Sequence, residues 1–367
     1  MAKKNKFYSL NKIKELHALY NFIFGERSNG KTYAVLEEGV KNYVEKGKQI
    51  AVIRRFNEDF TGKRASVMFD SLINNGEGKN RIKELTHGEW TGIYYFSMRW
   101  FLSRKEGDNI IKDDTPIAYG FSLSAQEHDK STSYPNITTV LFDEVITRNI
   151  YLNDEFIIFS NVLSTIIRQR TDVIIYMLGN TVNKYCPYFD EMGLKHVRDM
   201  KKGSIDLYHY GDSGLTVAVE YTENYREGKP SDVYFAFDNP KLSMITGGEW
   251  EIDIYPHCPC QYKPKDIVFM YFIIFHEDTL QCDIVKKDGK LFTFIHRKTT
   301  PIKKEDKDLI YSPEYDPRPN HRRKITNPIL PIEKKIYLLY KEEKIFYQDN
   351  TIGEIVRNYL LWCRGNG

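Results

Sequence analysis

Short apolar runs alternate along the first half of the chain with longer segments in which apolar residues recur every three or four positions. The runs cover residues 21 to 25, 49 to 53, 137 to 142 and 172 to 178. Continuous apolar runs are typical of strands buried on both faces of a sheet, and the three-to-four spacing is typical of helices. Strand, helix and strand in succession form the unit of a parallel sheet. The pattern therefore predicts an α/β fold with a mostly parallel sheet flanked by helices.

The first run leads into a complete G-x-x-x-x-G-K-[ST] sequence over residues 25 to 32. Such a loop lies between a strand and a helix, and its amides point at the phosphate oxygens of a nucleotide. We expect Lys31 to reach the β- and γ-phosphates of ATP and Thr32 to hold Mg²⁺ by its hydroxyl group. The predicted nucleotide-binding residues are Gly25, Glu26, Arg27, Ser28, Asn29, Gly30, Lys31 and Thr32.

A nucleotide site of this class needs a second strand that carries a carboxylate for the metal. The run over residues 137 to 142 is followed by Asp143 and Glu144. Asp143 is predicted to hold Mg²⁺, directly or through water, and Glu144 to polarise the water that attacks the γ-phosphate. Asn180 follows the next apolar run and is predicted to orient that water; a cap before a turn is the alternative for this residue.

Composition limits the number of domains and the compartment. With 367 residues the chain is too long for one ordinary core, and about two domains are expected. A net charge of +3 is too small to establish a nucleic-acid partner. The five cysteines are odd in number and scattered, which favours a reducing compartment. The longest apolar run, residues 267 to 275, is half the length of a membrane span, so we expect a cytoplasmic protein without a membrane partner.

The composition along the chain predicts the domain boundaries. A P-loop ATPase domain is expected over residues 1 to 195, with a lid inserted at about 57 to 110, where short aromatic pieces replace the regular pattern. Residues 196 to 235 are mixed and polar, and we predict a linker there. Residues 236 to 367 are predicted to form a smaller α+β domain that is rich in strands and ends in a helix.

For two basic segments the sequence is compatible with more than one role. Arg54 and Arg55 follow the second apolar run, at the ligand edge of an open α/β sheet. They form either a solvated cap or a contact with the nucleotide or a neighbouring subunit. Residues 303 to 324 carry a dense basic cluster that either grips a nucleic-acid backbone or forms a solvated loop.

The order of these motifs resembles that of the DNA-packaging ATPases of phi29-type tailed bacteriophages, which are P-loop ATPases of the additional-strand, catalytic-glutamate class. The resemblance covers roughly residues 17 to 195. It is carried by residues 25 to 32, 52 to 56, Lys130, residues 134 to 136, 140 to 144, 168 to 170 and 178 to 180, Asn183 and residues 187 to 189.

The resemblance implies a motor that uses ATP to package double-stranded DNA into a preformed procapsid. Members of the family form a pentameric ring at the portal vertex, in the cytoplasm of the infected bacterium. The expected partners are therefore DNA and the portal or connector, with a packaging RNA as a further candidate. Arg168 matches an arginine that acts on the neighbouring subunit's nucleotide, and Lys130 matches a basic residue that reaches it. With Lys31, Glu144 and Asn180 they make up the predicted catalytic set.

The same resemblance implies that the second domain is related to ribonuclease H. A two-metal nuclease needs carboxylates that meet at the metals, the first of them in the middle of the leading strand. The leading strand here, residues 268 to 274, contains none. We therefore expect a docking domain without nuclease activity.

Two other functions are compatible with the motifs. One is a helicase or a DNA-pumping ATPase of conjugation or replication, which would not purify with a capsid and portal. The other is a nucleotide-dependent switch that hydrolyses slowly, which DNA would not stimulate.

Overall fold

The structure is a computed structural model that describes residues 7–74, 78–128, 133–223, 250–258 and 260–365. The chain divides into two compact units, Met1–Glu251 and Ile252–Gly367. Within the described residues, none of the helices is both long enough and apolar enough to cross a membrane.

The first unit contains ten strands and seven α-helices among its described residues. The strands are β1 (Tyr20–Gly25), β2 (Gln49–Arg54), β3 (Gly92–Phe96), β4 (Arg99–Glu106), β5 (Asn109–Lys112), β6 (Ala118–Ser122), β7 (Ile137–Phe142), β8 (Ile174–Asn180), β9 (Ile205–Tyr210) and β10 (Leu215–Tyr221). The helices are α1 (Asn11–Lys14), α2 (Lys31–Lys46), α3 (Gly62–Ser66), α4 (Asp70–Ile73), α5 (Arg81–Leu85), α6 (Glu155–Ile167) and α7 (Pro187–Glu191).

All ten strands join one sheet in the order β3-β4-β6-β2-β7-β8-β1-β10-β9, with β5 on β4. The six strands from β6 to β10 in this order pair in parallel. Their carboxyl ends meet at one edge, as the pairings of Gly25 with Asn180 and of Ile53 with Phe142 demonstrate. The predicted fold class, a mostly parallel α/β sheet of the P-loop type, is confirmed.

Apolar side chains fill both faces of this sheet. Phe22 and Phe24 of β1 face a cluster that includes Phe159 of α6, whereas Ile23 faces a cluster that includes Val35 of α2. Successive side chains of a strand point to opposite faces, so a strand covered on both sides must be apolar at every position. This requirement explains why the strands appear in the sequence as continuous rather than alternating runs.

The segment predicted as a linker, residues 196 to 235, differs from that prediction. Its described part includes β9 and β10, and β10 lies beside β1 in the sheet. The first unit accordingly extends to Glu251, beyond the boundary at residue 195. The strand pairs across almost 200 residues of sequence, and nothing local in the chain specifies such a partner.

The predicted lid, at about residues 57 to 110, contains two kinds of structure. Helices α3, α4 and α5 follow β2, and the antiparallel strands β3, β4 and β5 continue the sheet beyond β6. Part of the insertion is therefore an extension of the sheet.

Among its described residues, the second unit has a six-stranded sheet and two α-helices. Its elements are β11 (Ile267–Phe275), β12 (Asp278–Lys287), β13 (Lys290–Arg297), β14 (Leu309–Tyr311), β15 (His321–Arg322), α8 (Pro331–Lys341), β16 (Ile345–Tyr347) and α9 (Asn350–Gly365). The sheet order is β15-β14-β11-β12-β13-β16. Strands β11, β12 and β13 are antiparallel, and β14, β15 and β16 are parallel to their neighbours. This unit has the strand-rich α+β character expected for the end of the chain.

Candidate nucleotide-binding site

The loop between β1 and α2 has the backbone shape that phosphate binding requires. Gly25 and Gly30 have φ values of 151° and 95°. A Cβ atom at Gly25 would lie 2.1 Å from Oγ1 of Thr222, so only glycine fits beside β10. The loop then enters the N-terminus of α2, where free amide groups and the helix dipole favour an anion.

Lys31 lies inside this loop and is almost fully buried. Its Nζ atom donates to the carbonyl oxygen of Glu26 at 2.6 Å, to Oδ1 of Asn29 at 3.1 Å and to Oδ1 of Asn180 at 3.3 Å. Burial lowers the pKa of Lys31 to about 8, and the carboxylates of Asp143 and Glu26 partly offset that effect. Lys31 is therefore held by oxygen acceptors, the type of atom that a phosphate group offers.

The carboxyl end of β7 brings a carboxylate to the first turn of α2. Oγ1 of Thr32 donates to Oδ1 of Asp143 at 3.3 Å. Mg²⁺ in nucleotide sites is bound by few protein oxygens together with phosphates and waters. One hydroxyl and one carboxylate from separate elements fit that coordination. The described residues contain no cluster of three or more acidic, histidine or cysteine side chains that would form an all-protein metal site.

Glu144 follows Asp143 with a left-handed backbone conformation, φ 60°. Its side chain is 67% exposed, and its Oε2 atom lies 2.9 Å from Nη1 of Arg54. Nη2 of the same arginine lies 3.1 Å from Oδ2 of Asp143. Arg54 thus joins both carboxylates, a contact that sequence reasoning had left open.

Arg55 has a different environment from its neighbour. Its side chain is buried, and its Nε atom donates to Oε2 of Glu155 at 2.7 Å. Arg54 and Arg55 therefore have different roles, because the side chains of adjacent residues at a strand end point in opposite directions. Arg54 lies at the candidate site and Arg55 lies beneath it.

A cavity of about 680 Å³ opens at this edge of the sheet, a volume suited to a nucleotide-sized ligand. Its walls come from the loop, α2, α4, the segment before α1 and the ends of β7 and β8. The lining residues are Phe7, Tyr8, Ser28, Asn29, Gly30, Lys31, Thr32, Tyr33, Glu37, Ser71, Asn74, Asp143, Glu144, Leu178, Gly179 and Asn180. Ser71 and Asn74 belong to the insertion, so part of the predicted lid borders the cavity.

The structure brings most of the predicted site residues together, but the described residues Arg27 and Arg168 lie outside the cavity lining. Arg27 is half exposed and lies 3.6 Å from Glu251, outside the cavity lining. Arg168 is exposed at the end of α6 and is also absent from the lining. Lys130 falls outside the described residues. Arg168 therefore does not line the cavity of its own chain.

The basic segment over residues 303 to 324 has intramolecular partners at two of its arginines. Arg318 lies 2.7 Å from Asp316 and 3.0 Å from Glu305, and Arg322 lies 2.7 Å from Glu333. Acidic residues of the same unit thus neutralise part of the charge that the sequence offers to nucleic acid.

Comparison with known proteins supports the same classification. The family model of podovirus DNA encapsidation proteins (Gp16) matches residues 103–301, which is more than half of the chain. The DNA packaging protein of Bacillus phage B103 is 26% identical over 260 residues, covering 70% of this chain and 71% of the relative. The DNA packaging protein of Bacillus phage phi29 is 24% identical over 294 residues, covering 79% of each chain.

Solved structures agree at the level of the fold. The chain aligns with the viral genome packaging motor assembly of bacteriophage phi29 with a TM-score of 0.56 and 18% identity, covering 99% of this chain and 100% of that chain. The phi28 gp11 DNA packaging motor gives a TM-score of 0.50 at 18% identity, covering 99% and 98% of the two chains. The resemblance drawn from the sequence motifs is thereby confirmed, and the chain belongs to the family of podovirus DNA encapsidation proteins (Gp16).

Proposed function

We propose that the protein is an ATP-driven translocase that packages double-stranded viral DNA into a preformed procapsid. Membership of the DNA encapsidation family supports the packaging role. The ATPase assignment depends on one observation. Lys31, Thr32 and Asp143 lie close together at the edge of the parallel sheet, where Thr32 donates to Asp143 and the Asp143 carboxylate interacts with the charge of Lys31. Lys31 provides a cation for the phosphates, and Thr32 and Asp143 provide oxygen ligands for a metal ion, all in the lining of one cavity.

Binding begins with exchange of partners around Lys31. The triphosphate occupies the loop amides and the N-terminus of α2, and its β- and γ-oxygens replace Asn29 and Asn180 as acceptors for the ammonium group. Thr32 and Asp143 would hold Mg²⁺, which would supply positive charge beside the phosphate oxygens. Arg54 pairs with Asp143, and this contact would weaken if the carboxylate were engaged by Mg²⁺.

Hydrolysis then depends on a water placed in line with the β–γ bond. Glu144 lines the cavity one residue beyond Asp143, and its carboxylate orients and polarises this water. Asn180 lines the cavity from the end of the neighbouring strand and contributes a second polar contact on the γ-phosphate side. Lys31 remains charged through the reaction and stabilises the developing negative charge.

Completion of the site requires a second copy of the chain. Arg168 is exposed and lies away from the cavity of its own subunit. In a pentameric ring, Arg168 and Lys130 of one subunit reach the nucleotide of the next. An arginine supplied in this way neutralises transition-state charge and raises the rate by about three to five orders of magnitude in other phosphoryl-transfer enzymes.

The second unit serves as a docking domain in this scheme. Its leading strand, β11, contains no carboxylate, so the two-metal chemistry of a nuclease has no first ligand there. We assign it to contact with the portal or connector, or with a packaging RNA, at the portal vertex of the procapsid in the infected cell.

Steady-state ATPase assays with Glu144→Gln test the proposal. The wild-type protein is expected to hydrolyse ATP faster when double-stranded DNA and procapsids are present, and to protect the DNA from added nuclease by packaging it. Loss of the general base should lower turnover by about 10²- to 10⁴-fold without loss of ATP binding. Glu45→Gln, an exposed carboxylate on α2, provides the control and should behave as wild type. Full turnover in Glu144→Gln, or turnover that DNA and procapsids leave unchanged, would contradict the proposal.

A further inference from the structure

Arg55 and Glu155 form a buried ion pair beside residues 143 to 145, the loop after β7 that carries the proposed catalytic Glu144 and is called the catalytic loop below. Nε and Nη2 of Arg55 lie 2.7 and 2.9 Å from the two carboxylate oxygens of Glu155, and the side chains are 8% and 1% exposed. The pair joins the end of β2 to the start of α6, which are 100 residues apart. Such bidentate geometry fixes the guanidinium plane as well as its charge.

The remaining donors of Arg55 point at the backbone of the catalytic loop. Nη1 donates to the carbonyl oxygen of Glu144 at 3.3 Å, and Nη2 donates to that of Val145 at 2.9 Å. The left-handed φ of Glu144 is unfavourable for a residue other than glycine and persists only where the surroundings hold it. Arg55 supplies that hold through the backbone, whereas Arg54 contacts the side chains of Asp143 and Glu144.

Glu155 is itself fully engaged, which makes Arg55 rigid. Besides Arg55, its carboxylate accepts from the backbone amide of Leu152 at 2.8 Å and from the hydroxyl of Tyr188 at 3.1 Å. The ring of Tyr151 packs against the guanidinium group, 4.8 Å from its centroid. One network therefore connects the loop after β7 with α6 and α7.

Stability alone does not require charged residues at this position. Burying two ions has a large desolvation cost, and apolar residues of similar volume often stabilise a core equally well. An apolar pair, however, cannot donate to the carbonyl groups of Glu144 and Val145. The backbone contacts are the feature that distinguishes this pair from an ordinary core contact.

We infer that Arg55 is a positioning residue for ATP hydrolysis, which holds the backbone of Glu144 and Val145 so that the Glu144 carboxylate faces the γ-phosphate. Glu155 holds Arg55 in turn. The inference rests on the proposed function, because it assigns a role within the same site. Since Arg55 lines no part of the cavity, it affects the chemical step and not the binding of ATP.

The double variant Arg55→Met/Glu155→Leu tests this role. It replaces the ion pair by apolar side chains and removes both carbonyl contacts. We expect kcat to fall about 10- to 100-fold, as for other small misplacements of a catalytic group. The KM for ATP should stay within about twofold of wild type, because uniform binding is untouched. The melting temperature should stay within about 5 °C, as for other apolar replacements of buried pairs.

Arg322→Met/Glu333→Leu is the matched control. This pair has the same 2.7 Å contact and an equally buried glutamate, but it lies in the second unit. It should leave the kcat for ATP unchanged. A loss of kcat equal to that of the first double variant would overturn the inference, because any buried pair would then have the same effect.

Arg55→Lys covers the case in which the double variant does not fold. Lysine keeps the charge opposite Glu155, but it cannot bond both carboxylate oxygens and both carbonyl groups together. Its kcat should fall about tenfold with little change in KM. Wild-type kcat in folded Arg55→Lys would overturn the inference while leaving the proposed function intact. Absence of turnover in the wild-type protein would overturn both.

Discussion

The two sheets of this protein differ in the residues that stand at the carboxyl ends of their strands. In the first unit, β1, β2, β7 and β8 run parallel, so the residues at their carboxyl ends meet at one edge. In the second unit, β12 is antiparallel to both of its neighbours, and the other five strands run in one common direction. Strand-end residues such as Arg54, Asp143 and Asn180 can therefore form one site in the first sheet. In the second sheet three of the strands that share a direction, β11, β14 and β16, end in the aromatic residues Phe275, Tyr311 and Tyr347, which carry no carboxylate or amide side chain.

The two units also differ in the contacts of their arginine–glutamate pairs, Arg55–Glu155 and Arg322–Glu333. Arg55 and Glu155 belong to distant elements, and Arg55 also donates to the backbone of the loop after β7. Arg322 gives its other bonds to the nearby carbonyl groups of Pro319 and His321. Glu333 accepts from two amides just before α8 and so caps that helix. The same pair of side chains is tied to the candidate site in the first unit and to local structure in the second.

The largest expected effect tests whether the site at the edge of the first sheet needs an arginine from a neighbouring subunit. Lys31→Ala removes the phosphate cation, and Arg168→Ala removes the arginine assigned to the neighbouring subunit. Each variant alone should lose turnover by about 10³-fold or more. Mixed subunits should recover part of the activity, because an Arg168→Ala site beside a Lys31→Ala subunit has both groups. Equal ATPase rates for mixed and separate samples, in rings of confirmed mixed composition, would contradict the shared site.

The next effect is the pH dependence of ATP affinity. The pKa of Lys31 is about 8 in the free protein, and bound phosphate raises it. Above pH 8, binding must therefore take up a proton, and the affinity should fall by about tenfold per pH unit. Below pH 8 the affinity should be nearly constant. Titration calorimetry at pH 7 and pH 9 measures both the affinity and the proton uptake.

Lys31→Arg separates this effect from general alkaline loss of structure. Arginine stays charged at both pH values, so its weaker binding should show little change between them. A parallel fall in affinity for the wild type and Lys31→Arg would show that another group is titrating.

The smallest expected effect is a pH-dependent change in stability from an ion pair in the second unit. Nε2 of His296 lies 3.4 Å from Oδ2 of the buried Asp283, and their hydrogen bond raises the pKa of His296. The stabilisation is fully present below the unfolded pKa, about 6.5, and is lost as pH rises through the higher folded pKa. His296→Asn should therefore lower the free energy of unfolding at pH 5.5 by less than about 1 kcal/mol. At pH 8.5 the difference should be smaller still.

Urea denaturation of the full chain at both pH values measures this difference. His209→Asn, an exposed histidine on β9 of the first sheet, is the control and should be neutral. A larger destabilisation at pH 8.5 than at pH 5.5 for His296→Asn would refute the assignment. ATP turnover should be unaffected, which sharpens the contrast between the two units.

The sequence predicted the parts of the site that are contiguous in the chain. The loop over residues 25 to 32 and the pair Asp143 and Glu144 each carry their chemistry in adjacent residues, and the parallel sheet then brings them together. Asn180 could be placed for the same reason, since it ends the strand beside β7. The roles of these residues stay predictions until the variants are measured.

Other features depend on contacts that no local pattern reveals. Nothing in the sequence tells which of Arg54 and Arg55 faces the carboxylates, because the answer depends on the direction of each side chain at the end of β2. The role of β10 was missed as well, although the alternating residues 215 to 221 are typical of a strand. The ion pairs of the basic segment could not be predicted for the same reason, since Glu305 lies 13 residues from its partner Arg318 and Glu333 lies 11 residues from Arg322.

A structure of Glu144→Gln with Mg²⁺ and ATP tests the central claim most directly. The triphosphate should lie on the amides of residues 28 to 32, with Lys31 turned from Asn180 to the β- and γ-oxygens and Mg²⁺ between Thr32 and Asp143. An unchanged Lys31 and an empty loop at saturating ATP, or a nucleotide bound elsewhere on the chain, would contradict it.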